Sequence, residues 1–231
     1  MNSIFLSNSG DLLSFNNLSE FNEIIADLDT SVPARNKGRK SFHRERTSVI
    51  LYLKALVHFS QIEFPFTITK TESPDFVICI VNKYKIGIEH RDIASEKWQQ
   101  YLGESAKNPN DKPVYLDQFK LSGPPTNEIN QGWVEREIID EWNTLALEAI
   151  VNKVELLNKG HYQELDSYEL LLYSNTHLPI SSTDLDKAIP ELSNTYNKKY
   201  ESIKYPKVFD SVSIIMGDEI KLKVLKFSNA A

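Results

Sequence analysis

Two acids stand at the ends of one apolar hairpin: Asp75 at the start of a strand and Glu89 at the end of the next. Asp75 follows Pro74, and Phe76 to Val81 is a run of apolar, largely β-branched residues of the kind that form buried strands. Asn82, Lys83 and Tyr84 read as a short polar turn. Lys85 to Arg91 then alternates, with Lys85, Gly87, Glu89 and Arg91 on one face and Ile86, Ile88 and His90 on the other. A carboxylate at the end of a core strand is costly unless it is paired, hydrated or bound to metal. Two such acids brought together are most simply explained by a shared cation, and sharing requires that they face the same way. A three-residue turn over Asn82 to Tyr84 predicts Asp75 opposite Arg91 and next-but-one to Glu89, whereas a two-residue turn sends the acids to opposite faces. Gly87 either leaves room for a ligand or marks a packing constraint. His90 is expected to point away from the acids, as a core or second-layer histidine.

Pro74-Asp75 followed by Glu89-x-Arg91 resembles the signature of the PD-(D/E)XK nuclease superfamily, the restriction-endonuclease-like fold. The resemblance covers roughly residues 42 to 175, in the order helix, strand, turn, strand, helix, strand. It implies an α/β (α+β) fold: a mixed central sheet flanked by helices, with a long insertion after the third core strand. It also implies a metal-dependent nuclease with Asp75 and Glu89 as metal ligands and a third acid on the preceding helix, for which Glu45 is the candidate. Glu45 is equally well explained as an acid near a helix N-terminus. The chain departs from the family where the usual lysine is Arg91, which keeps the charge but stays protonated and cannot act as a base. Relatives can carry that lysine on the following helix, and Lys153 or Lys159 would match such a shift. The catalytic set implied is therefore Asp75, Glu89, Arg91 and Lys153.

The chemistry follows from the residue types. Converging carboxylates raise each other's cost of ionisation until a cation arrives. Hard Mg²⁺, with Mn²⁺ as a substitute, suits two carboxylates, water and a phosphate oxygen better than Zn²⁺ does. Such a metal polarises a phosphate and lowers the pKa of a bound water. Arg91 would act as an electrostatic clamp on the phosphate. Lys153 lies one position from its helix's apolar stripe and would border the sheet, while Lys159 is simply a cation at the helix C-terminus. Glu72 falls on the opposite strand face from Asp75.

The elements that must position these residues can be read in order. Glu20 to Leu28 predicts a helix capped by Ser19, and Asp29 to Lys40 a basic loop. Arg44 to Ser60 predicts a helix with an inward stripe of Val49, Leu53, Leu56 and Val57, followed by a strand over Phe64 to Lys70. Residues 94–132, rich in proline, glycine and polar residues, read as an insertion with one short helix around Ser95 to Tyr101. A long helix from Val134 to Asn158, a strand over Leu170 to Tyr173 and a helix from Thr183 or Asp184 to Lys199, with either a break or a kink at Pro190, come next. Val208 to Met216 and Glu219 to Phe227 close the chain as a hairpin turned at Gly217-Asp218. The 231 residues form one domain, in which residues 1–41 supply an N-terminal helix and the basic loop.

Composition narrows the partners. With 41% apolar and 25% charged residues, the chain is an ordinary globular sequence. Its single cysteine excludes an intramolecular disulfide, and no apolar run approaches a membrane span, so a cytoplasmic protein with no membrane partner is expected. A net charge of −6 argues against a generally basic nucleic-acid coat. Yet Arg35, Lys37, Arg39, Lys40, Arg44 and Arg46 cluster just before the hairpin. They read either as a set that neutralises backbone phosphates or as a solvated loop and helix start. No phosphate-binding glycine loop, zinc cluster or serine-nucleophile elbow is present. The expected activity is a Mg²⁺-dependent nuclease acting on DNA ahead of RNA, with a homodimer left open. The alternative is the same fold with a degenerate site, serving as a nucleic-acid- or protein-binding module.

Overall fold

The computed structural model describes residues 6–33, 35–105, 134–160, 162–203, 205–216 and 223–226. Within them, a seven-stranded mixed sheet runs in sequence order from β1 to β7. The strands are β1 (Leu12–Phe15), β2 (Phe66–Lys70), β3 (Phe76–Ile80), β4 (Tyr84–Ile93), β5 (Ser167–Ser174), β6 (Ser211–Met216) and β7 (Lys223–Lys226). The first four strands pair antiparallel in sequence order, with two α-helices inserted between β1 and β2. β4, β5 and β6 are parallel, and β7 returns antiparallel to β6. Parallel neighbours require long crossovers. These contain α4 (Glu135–Asn158) between β4 and β5, and α5 (Ser182–Ile203) between β5 and β6. The remaining helices are α1 (Leu18–Asp27), α2 (Ser41–His58) and α3 (Glu96–Ser105).

The sheet separates two cores. On one face α1 and α2 bury Phe21, Val49, Leu53 and Leu56 against Phe66, Ile78 and Ile88. On the other, α4 and α5 bury Trp142, Ala149, Val154 and Leu192 against Leu170, Leu172 and Ile214. The apolar stripe of α4 anchors that helix across the sheet, and Trp142, fully buried, also donates from Nε1 to Ser174 Oγ at 3.0 Å. This burial outweighs the cost of carrying polar residues at the helix's edge, where Lys153 sits.

Several boundaries differ from the sequence expectation. α1 starts earlier and is capped by Asn17, whose side chain accepts from Glu20 N–H, instead of by Ser19. α2 begins at Ser41, which draws more of the basic segment into a helix. Pro190 lies inside α5 without ending it. β5 is longer than its apolar centre, because the flanking Ser167 to Glu169 continue the parallel ladder with β4. The rest of the insertion, including 106–132, and the turn at Gly217-Asp218 lie outside the described residues. No helix among the described residues is long and apolar enough to cross a membrane.

Candidate active site

The β3–β4 register decides where the two acids meet. Ile80 pairs with Tyr84 and Phe76 with Ile88, so the turn comprises Val81, Asn82 and Lys83. Asn82 adopts a φ of 57°, a left-handed conformation that asparagine tolerates well. The turn has three residues, as required for the acids to share a face, but it begins one residue earlier than expected. Asp75 therefore comes level with Glu89, not with Arg91. His90 N–H donates to Asp75 Oδ2 at 2.8 Å, which ties the start of one strand to the end of the other.

Gly87 marks a packing constraint. A Cβ there would lie 2.8 Å from Leu165 Cδ1 and 2.9 Å from Pro74 Cγ, so the space beside it is already filled. The proline before Asp75 thus rests on the glycine two residues before Glu89.

Three acids and two lysines form an alternating chain at this end of the sheet. Glu45 on α2 pairs with Lys70 at 3.0 Å, and Lys70 lies 3.6 Å from Asp75 Oδ1. Lys153 on α4 lies 3.7 Å from Asp75 Oδ2 and donates to Glu89 Oε2. Lys70 also donates to the Asp75 carbonyl at 3.1 Å and sits over the Phe76 ring. Lys153 reaches the acids from the α4 face and Lys70 from the α2 side. Burial, and then the charge of Asp75, push the Glu89 carboxyl above its ordinary range, while Lys153 and a hydrogen bond from Tyr162 pull it back. Tyr162 is itself pushed up, by burial and by the same carboxylate.

His90 faces the α2 side, away from Glu89, and is buried. Burial pushes its imidazole down to about 3, so it stays neutral near pH 7. Its Nε2 lies 3.7 Å from Asp92, whose carboxylate pairs with Arg44.

A cleft of about 810 Å³ opens over this cluster. Among the described residues, six cations (Arg35, Arg39, Lys40, Arg44, Arg91 and Lys153) and four acids line it, so it is positive within a chain of net charge −6. Arg91 is exposed on its wall, and Glu45 and Asp75 both border it. Lys37 is exposed but lies outside the cleft lining. Arg46 does not belong to the basic surface at all. It is 1% exposed, donates to the Ser31 carbonyl at 3.3 Å and pins the preceding loop to α2. Its place three residues before Val49 and seven before Leu53 puts it on the buried stripe, a signal present in the sequence.

Sequence reasoning gave no role to Lys70 or Tyr162, which join the cluster from the end of β2 and from the segment between α4 and β5, with no local motif. It placed Lys153 correctly on the helix that follows the insertion. As to a metal, the side-by-side carboxylates of Asp75 and Glu89 form a hard oxygen-donor pair of the kind that suits Mg²⁺. No group of three or more His, Cys, Asp or Glu gathers as a metal cage among the described residues, and Glu45 reaches Asp75 only through Lys70. Water and substrate oxygens would have to complete a coordination shell built on Asp75 and Glu89.

Comparison of the chain with known protein families, with curated proteins and with solved structures yields no match.

Proposed function

We propose that the chain is a Mg²⁺-dependent nuclease that hydrolyses phosphodiester bonds in DNA, ahead of RNA, with its catalytic centre at Asp75, Glu89 and Lys153. The observation that carries this reading is the position of Lys153. Its ammonium contacts both strand-end acids, and so supplies from α4 the positive charge that the motif usually places where Arg91 stands. A positive cleft leading to paired acids suits a polyanionic substrate, whose negative charge would otherwise be repelled by Asp75 and Glu89. Bound between those acids and the substrate, Mg²⁺ would polarise the phosphate and lower the pKa of a water. Lys153 holds the carboxylates in register and stabilises charge developing on the phosphate, and Arg91 on the cleft wall steers the backbone.

A second reading rests on a different feature of the same cluster. Glu45, Asp75 and Glu89 each already have a lysine partner, an arrangement that also fits a degenerate centre serving only to bind. Incubation of supercoiled plasmid with the purified full chain separates the two. The nuclease reading expects nicked or linear product with Mg²⁺ or Mn²⁺ and none with a chelator. Salt-sensitive binding without any cleavage in either metal favours the binding module.

A further inference from the structure

We propose that the N-terminal turn of α2, together with Arg35, Arg39 and Arg44, forms a subsite for a phosphomonoester at the end of a nucleic-acid strand. The subsite is separate from the Asp75–Glu89 centre but shares its cleft, and the assignment to a nucleic acid rests on the nuclease reading.

The helix end lacks a capping oxygen. The N-cap position is occupied by Lys40, whose side chain has no oxygen with which to accept a backbone N–H. Its own backbone N–H donates to His43 Nδ1 at 3.0 Å, which leaves the first-turn N–H groups of Ser41 and Phe42 without a capping carboxylate or hydroxyl. The first turn carries no acid. Ser41, its first residue, lines the cleft beside Lys40. A helix N-terminus without a capping oxygen presents first-turn N–H groups and the positive end of the helix dipole, which favour a phosphate.

The arginines provide an independent indication. Arg35 Nε is buried and has no hydrogen-bond partner among the described residues. Burial pushes Arg39 below its ordinary value, with repulsion from Arg35 next. Arg44 is pushed down to about 10 by burial, then by Arg39 and Arg35. Of the three, Arg44 has an acid partner in Asp92, whereas no ion pair of Arg35 or Arg39 occurs among the described residues. Guanidinium groups that repel one another in a half-buried site gain more from a dianion than from a singly charged diester. Arg35 also donates to Gln99 on α3, joining the two walls of the cleft.

The full chain carrying Glu89→Gln, which keeps the substrate intact, is titrated with short fluorescent duplexes ending in 5′-phosphate, 3′-phosphate or hydroxyl groups. One phosphorylated end should bind on the order of tenfold more tightly than hydroxyl ends, and which end does so assigns the polarity. Arg39→Ala should reduce the difference to within about twofold, and Arg39→Lys should keep part of it. Millimolar inorganic phosphate should abolish the preference, and melting curves establish that each variant is folded. Equal binding of all ends overturns the proposal, as does a preference that survives in both Arg39→Ala and Arg35→Ala. Stabilisation by inorganic phosphate without any end preference also overturns it, because the site then takes only a small anion. End preference in a protein that never cleaves keeps the subsite and removes the nuclease reading. Equal cleavage of circles, hydroxyl ends and phosphorylated ends keeps the nuclease and removes the subsite.

Discussion

Lys153 and Arg91 are the two candidates for the positive charge of the proposed centre, and they differ in setting. Lys153 is largely buried between acids, whereas Arg91 is exposed on the cleft wall. Lys153→Met should therefore lower single-turnover cleavage of DNA on the order of 10²–10³-fold, with a smaller effect on binding. Adding Arg91→Lys to that variant should recover part of the rate, since it returns a lysine to the strand beside Glu89. A wild-type rate from Lys153→Met would remove the residue from the centre. Gly87 tests the geometry beneath. Gly87→Ala must move Pro74, Leu165 or Tyr168, and urea unfolding should show a loss of about 1–3 kcal/mol. How legible these residues were follows from their patterns. Asp75 and Glu89 stood out because strand composition framed them, and Lys153 because it lies one position from the apolar stripe of the helix to which the resemblance allows the lysine to move. Lys70 and Tyr162 reach Asp75 and Glu89 only through tertiary packing, so nothing in their neighbours marks them.

Two elements control the site, the β3–β4 hairpin and α2. The hairpin was readable because a β-branched run met an alternating one. Its register was harder, since moving the turn start by one residue changes which acid faces which neighbour without changing the face. α2 has two duties. Its inward side packs on the sheet, and its N-terminal turn opens to the cleft. That inward side also holds a buried polar contact, in which Tyr52 donates from its hydroxyl to Glu169 on β5. Burial raises the Glu169 pKa from the usual 4.5, so the folded state favours the protonated acid. The stability this group contributes is complete below its unfolded value and is lost as pH rises through its raised folded value. Glu169→Gln keeps an oxygen to accept from Tyr52 and removes the ionisation. Denaturant unfolding from pH 4 to pH 8 should show a shallower loss of stability on the alkaline side for this variant. Parallel stability curves for the two proteins would contradict the assignment.

At the scale of the molecule, the sheet brings together residues from helices on both of its faces. Glu45 comes from α2, Lys153 from α4, and Asp75 and Glu89 from the strand ends between them. Among the described residues, positive charge is thereby concentrated in a cleft of a chain whose net charge is −6, and under the proposed function that cleft is where a polyanion would be drawn. The proposed function requires that Asp75, which borders this cleft, and the buried Glu89 beside it perform hydrolysis and do not merely bind. The most direct test measures cleavage and binding of the same labelled DNA duplex by wild-type protein and Glu89→Gln, with Mg²⁺ present. The account predicts cleavage by the wild type alone, with binding by Glu89→Gln equal or tighter because one negative charge is gone. Cleavage at the wild-type rate by Glu89→Gln, or no cleavage by either protein despite tight binding, would contradict it.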